Sequence, residues 1–303
     1  MDDPGPLPAQ PGSGRAIYLP LNLLRPSPEM AFVPSPPMTT FTGPDRSGAT
    51  MLLSKVPQVT LFFWLIKIMA TTVGETAADY LMEHTGLTLV STLWLSVGVL
   101  AALLAVQVRS ARYVPARYWS TVVAISVVGT LITDYLTDVR GISLWTSTGA
   151  FSFLLAAVFR VWYVRERTLS IHSIVTTKRE AFYWVAILCS FALGTAAGDL
   201  LAETVNLGYL TSAVLFGAAI AAAAAAWRYL GANAVLTFWI AYILTRPMGA
   251  SIGDFLSQSH RNGGLGLGTT ATSGIFLLGI LGLVTYLARS RRDIEIVAVP
   301  IAP

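Results

Sequence analysis

From Pro57 onward the chain alternates long apolar runs with short polar breaks. Eight of the runs reach the ~20 residues that a helix needs to cross a bilayer's ~30 Å hydrocarbon layer. The pattern predicts helices over residues 57–81, 87–108, 115–137, 143–164, 180–202, 208–229, 233–257 and 267–288. Polar residues are unevenly shared among them. The odd-numbered runs carry Gly, Thr and carboxylates, whereas the even-numbered runs are plainer, and residues 221–226 of the sixth are all Ala. The stretch before Pro57 is different material. Its first 50 residues hold 11 of the 16 prolines and show no apolar period, which predicts a Pro-rich disordered tail over 1–50. That tail lacks the basic and apolar regions of a cleaved signal peptide. Met38 and Met51 are alternative starts.

The odd runs share one motif, aromatic-Trp-x9-Gly-x4-Asp-x-Leu. Its copies are Phe63-Trp64…Gly74…Asp79, Tyr118-Trp119…Gly129…Asp134, Tyr183-Trp184…Gly194…Asp199 and Phe238-Trp239…Gly249…Asp254. Each repeat is therefore a motif helix followed by a plain one. Steps between the motif glycines are 55, 65 and 55 residues, so two repeats form a half that recurs 120 residues later. Two helices per repeat bring every copy into the membrane from the same side, which makes the repeats parallel. The expected fold is an all-α polytopic membrane protein. Its parts are a first half at 57–164, a second at 180–288, and a short C-terminal tail at 289–303.

Basic residues orient this arrangement. Lys55, Arg109, Arg112, Arg117, Arg160, Arg165, Arg167, Lys178, Arg179, Arg228, Arg289, Arg291 and Arg292 fall where odd helices begin or even ones end. The opposite loops carry only Arg140 and Arg261. The positive-inside rule then predicts that both termini are cytoplasmic. Each motif Trp is expected to anchor its helix at the cytoplasmic interface. The motif Asp, 15 residues on and about 22 Å away, falls in the outer part of the membrane.

Only 12% of the 303 residues are charged, with 54% hydrophobic, and the net charge of +4 reflects those scattered loop residues. No basic face interleaved with aromatics points to nucleic acid. The single Cys189 excludes a disulfide framework. No nucleophile motif, metalloprotease motif or phosphate loop is present, and Gly264-x-Gly266-x-Gly268 lacks a preceding strand. The expectation is a non-enzyme with no cofactor, whose partners are the lipid bilayer and a transported ion or small solute.

Candidate chemistry therefore rests on charge within the spans, where it is costly. Asp79, Asp134, Asp199 and Asp254 lie at one level. A second polar group follows four residues later in each copy: Glu83, Asp138, Glu203 and Gln258. Such pairs share a face if the helix continues. Copy one adds Glu75. Thr71, Thr72, Thr76, Thr130, Thr133, Thr195, Gly198, Ser251 and Gly253 surround the Asp positions and allow close helix approach. Lys67 and Arg246 are cations deep inside spans, near the middle of the first and before Pro247 of the seventh. Lys67 is expected to pair with Glu75 or Asp79 or to snorkel, and Arg246, before Pro247, to pair with a motif carboxylate. His84 and His260 lie on the acidic side and are most simply solvated.

The segments TTVGETAADYL, GTLITDYL, GTAAGDLLAE and RPMGASIGDFL resemble a bacterial family of integral membrane proteins defined by four copies of a repeat of unassigned function. The resemblance covers residues 57–288 and implies architecture and an inner-membrane location, without a substrate or a site. From the residues themselves two functions emerge. In the first, the four Asp bind a cation. Neighbouring carboxylates cannot all hold charge without one, so a divalent ion would displace protons. Oxygen ligands suit Mg²⁺, Ca²⁺ or Mn²⁺, and the halves would rock about the site. In the second, the Asp motifs are structural elements of a scaffold or sensor. Transport of an anionic or organic solute on Arg246 is a further alternative.

Overall fold

The computed structural model of the protein describes residues 49–294 and 296–300. Its eight long helices are α1 (Leu61–His84), α2 (Leu89–Val108), α3 (Pro115–Asp134), α4 (Leu144–Glu166), α5 (Thr177–Asp199), α6 (Tyr209–Leu230), α7 (Ala234–Ser257) and α8 (Gly268–Ser290). All eight are long and apolar enough to cross a membrane. Their starts follow local chemistry. Thr60, Thr88, Ser143, Thr176 and Asn233 accept first-turn backbone N–H groups, and Pro115 opens α3. After Asp134 and Asp199 the helices widen into single π-helical turns, Tyr135–Val139 and Leu200–Thr204.

The four motif helices close into a ring, α1 on α3, α3 on α5, α5 on α7 and α7 on α1. Each plain helix packs chiefly on the motif helix of the following repeat. Thus α2 lies on α3, α4 on α5, α6 on α7, and α8 returns to α1. The ring is buried, while the outer helices expose large apolar side chains such as Leu95, Phe153, Val214 and Leu278. That division explains the sequence pattern. Inner helices must offer small residues to one another, whereas outer helices need only be apolar toward lipid.

The two ends of the described chain meet. β1 (Ala49–Leu53) pairs antiparallel with β2 (Ile296–Pro300), in register from Ala49 opposite Pro300 to Leu53 opposite Ile296. Neither strand was expected. The Pro-rich tail lies outside the described residues except for Ala49 and Thr50, and the C-terminal tail contributes β2. Between β1 and α1, Val56 is fully buried in the same hydrophobic cluster as Phe63, Tyr113 and Tyr118. Lys55 Nζ there donates to Glu180 Oε2 at 2.7 Å and to the Val108 carbonyl at 3.1 Å. Gln107 and Trp184 donate to the other oxygen of Glu180. Lys55, read from the sequence as a loop charge, is thus one half of a buried ion pair.

Candidate functional site

The axis of the ring is built in tiers, because the repeats place equivalent residues at equal heights. At the starts of the motif helices the aromatic-Trp pairs interlock in a cycle. Phe63 meets Trp119 at 5.7 Å between ring centres, Tyr118 meets Trp184 at 5.4 Å, Tyr183 meets Trp239 at 6.3 Å, and Phe238 meets Trp64 at 5.7 Å. Tyr118 and Tyr183 also share a short hydroxyl–hydroxyl hydrogen bond. Trp119, Trp184 and Trp239 are buried and Trp64 half-buried. The expectation of interfacial anchors is corrected here: Trp119, Trp184 and Trp239 are buried and each motif aromatic pair packs on that of a neighbouring repeat.

Ten residues after each motif Trp, the motif glycines are the crossing points. A Cβ on Gly74 would overlap the Ser126 side chain, one on Gly194 the Arg246 side chain, and one on Gly249 the Thr71 side chain. On Gly129 it would stand 2.9 Å from Phe191 Cβ. Every partner is the residue three before the glycine of the next repeat. Glycine recurs because each backbone is pressed against its neighbour's side chain. Thr133 strengthens one crossing by donating to the Ala192 carbonyl at 3.1 Å.

Arg246 occupies the centre and is fully buried. Its Nη2 donates to Glu75 Oε2 at 2.9 Å, to Thr195 Oγ1 at 2.7 Å and to Thr130 Oγ1, and its Nη1 to the Thr71 carbonyl at 3.3 Å. Glu75, Thr130 and Thr195 each directly follow a motif glycine. One guanidinium from the fourth repeat is therefore held by the same position of the other three. Its acid is Glu75 and not the expected motif Asp. Among the described residues Lys67 forms no ion pair and its Nζ has no hydrogen-bond acceptor; being fully buried, it does not snorkel, and the Nζ lies 4.0 Å from the Phe191 ring centre and 4.2 Å from that of Tyr242. Aromatic faces substitute for a counter-ion.

The acidic tier begins at the level of Glu75. One oxygen each from Glu75, Asp199 and Asp254 lies within 4.8 Å of the others, a spacing that one cation could bridge. Glu75 and Asp254 are buried and Asp199 half-buried. Asp79 and Asp134 are also half-buried but stand outside this group. The second polar groups do not join it. Glu83 accepts from Thr269 of α8 at 2.6 Å, Glu203 accepts from Tyr209 at 3.1 Å, and Asp138 is exposed. In the second and third repeats the π-helical turn upsets the four-residue spacing. His84 and His260 are exposed and bond the Tyr80 and Gly264 carbonyls.

Some partners escaped the sequence reading. Phe191 and Tyr242, which flank Lys67, are apolar-looking positions whose role depends on which helices adjoin. A buried hydroxyl also recurs near the start of each outer helix (Thr92, Ser147, Ser212 and Thr272). Its signal was the recurrent Ser/Thr pair 17–18 residues after the glycine in the first three repeats. Outside the spans, Tyr113 donates to Asp293 Oδ2 at 2.6 Å. Burial, and then the Asp293 charge, push the Tyr113 phenol up, while burial raises the Asp293 carboxyl against the opposing Tyr113 hydrogen bond.

Comparison with known proteins fits this repeat architecture. No curated protein and no solved structure gives a match. Four segments, residues 62–113, 117–168, 182–232 and 237–293, match the family described as Repeat of Unknown Function (DUF347), each taking in one motif helix and the plain helix after it. The chain belongs to this repeat family.

Proposed function

We propose that the protein is a secondary transporter of a hard divalent cation such as Mn²⁺, which it exchanges for protons across a bacterial inner membrane. The observation that carries this reading is the convergence of Glu75, Asp199 and Asp254, from three different helices, at the inner limit of an acidic tier. Glu75, Asp199 and Asp254 together with the Arg246 guanidinium bonded to Glu75 sum to a charge that one divalent ion balances, and oxygen-only ligation favours hard metals. Protons compete for the same oxygens, so exchange follows from the chemistry of the ligands.

By the positive-inside rule the aromatic end faces the cytoplasm, with both termini, and the acidic tier faces outward. Asp79 and Asp134, half-buried, deliver ions to the trio, and Glu83, Asp138 and Glu203 gather them at the mouth. Arg246 is a tethered cation that neutralises Glu75 when the site is empty. Its buried Nη groups are already engaged, which counts against an anionic substrate. The trio has no nucleophile paired with a base, in keeping with a carrier and not an enzyme. Rocking of 57–164 against 180–288 would open the α1–α7 and α3–α5 crossings and part α4 from α5 and α8 from α1.

The test is Mn²⁺ flux into proteoliposomes under an imposed pH gradient. Wild type should move Mn²⁺ and dissipate the gradient, while Asp254→Asn and Asp199→Asn should do neither yet purify as folded protein. If wild type carries no Mn²⁺, Mg²⁺ or Ca²⁺, and the variants lose only thermal stability, the carboxylates are structural elements of a scaffold or sensor.

A further inference from the structure

On the outer face of the ring, α2, α3 and α8 border a groove of about 540 Å³. Its walls are almost wholly apolar, with Leu95, Leu103, Val123, Leu277 and Leu281 among them. Along α3 the lining runs from Ala116 to Val127. Eleven residues at 1.5 Å each make about 16 Å, close to half the ~30 Å hydrocarbon thickness and hence to one leaflet.

At one end of the groove α2 finishes, α3 begins and α8 finishes. The same end carries Arg109, Arg112, Arg117, Arg289, Arg291 and Arg292, all exposed. The nearby acid, Asp293, is buried and accepts from Tyr113, so it does not neutralise them. An apolar slot one leaflet deep, closed by arginines, has the chemistry of a lipid with a negative head group. An acyl chain fills the slot, and guanidinium groups take the phosphate.

We infer that the α2–α3–α8 groove is a binding site for an anionic phospholipid of the leaflet at the aromatic end. The lipid covers the junction where the last repeat meets the first, since α8 lies on α1 and α2 on α3. It therefore stabilises closure of the ring independently of any ion carried along the axis.

The experiment is native mass spectrometry of the full-length detergent-purified protein titrated with phosphatidylglycerol or phosphatidylcholine of identical chains. Phosphatidylglycerol should bind first and roughly tenfold or more tightly, with one strongly retained molecule per chain. In Arg112→Gln/Arg291→Gln/Arg292→Gln the preference should fall to the phosphatidylcholine level. Ala124→Leu, which fills the groove on the lipid-facing side, should remove the retained molecule while leaving the arginines in place. Circular dichroism establishes that both variants fold. Equal binding of the two lipids in wild type, or a retained phosphatidylglycerol that survives Ala124→Leu, overturns the proposal. Loss of Mn²⁺ transport in Asp254→Asn bears on the axial site alone.

Discussion

Breaking the Arg246–Glu75 pair from either side should cost far more than removing both partners. Arg246 is fully buried, and Glu75 supplies the only charge-balancing group among its four acceptors; Thr71, Thr130 and Thr195 are neutral. Glu75→Gln leaves a buried guanidinium without its counter-charge. Arg246→Met leaves the Glu75 carboxylate with one weak donor, Thr130 at 3.3 Å. Each single change should cost about 3–5 kcal/mol. At about 2 °C per kcal/mol for a chain of this size, that lowers the melting temperature by roughly 6–10 °C. Glu75→Gln/Arg246→Met removes both charges from a low-dielectric core and should recover most of the loss, because a neutral replacement of similar volume is often tolerated. The assay is thermal unfolding in detergent, followed by intrinsic fluorescence for the four proteins of the cycle. If the double variant melts at the temperature expected from adding the two single losses, the pair is not coupled, and the central position given to Arg246 is wrong.

Other outcomes follow from the same geometry. Gly74→Ala forces a Cβ into Ser126 and should lower stability by about 1–3 kcal/mol, whereas Gly98→Ala, with open space around it, should be neutral or better in a melting assay. Lys67→Met exchanges a buried cation without a carboxylate partner for an isosteric apolar chain; the melting temperature should hold or rise. Asp293 binds its proton more tightly in the folded state, so the stability linked to it is present at low pH and lost as pH rises through its raised pKa. Asp293→Asn should flatten the stability profile in the window above the ordinary value of 3.8.

Much of this architecture was legible because it repeats. The helix spans and the alternation of motif and plain helices follow from spacing along one chain. The spacing could not say that α8 leans on α1 or that Trp119 is buried, since those depend on how the repeats close. The same reason hid the Arg246 partner. Sequence offers four Asp and one Glu to choose from. Only the ring shows that the residue three before one glycine meets the glycine of the preceding repeat, which brings Arg246 to where Glu75, Thr130 and Thr195 converge. Asp138 and Glu203 were placed on the Asp face by assuming a continuous α-helix, and the π-helical turns at Tyr135–Val139 and Leu200–Thr204 alter that phase. Lys67 shows the opposite limit. Its place in a span suggests a carboxylate partner or snorkelling, and the aromatic faces from α5 and α7 that it meets instead carry no pattern that marks them as cation partners.

The most direct test of the central claim is equilibrium dialysis of Mn²⁺ against purified protein, wild type beside Glu75→Gln, Asp199→Asn and Asp254→Asn. The account predicts saturable binding of one ion per chain that releases protons, is lost in Asp199→Asn and Asp254→Asn, and is weakened in Glu75→Gln. Saturable binding that persists unchanged in all three variants, or no saturable binding to wild type, would contradict it.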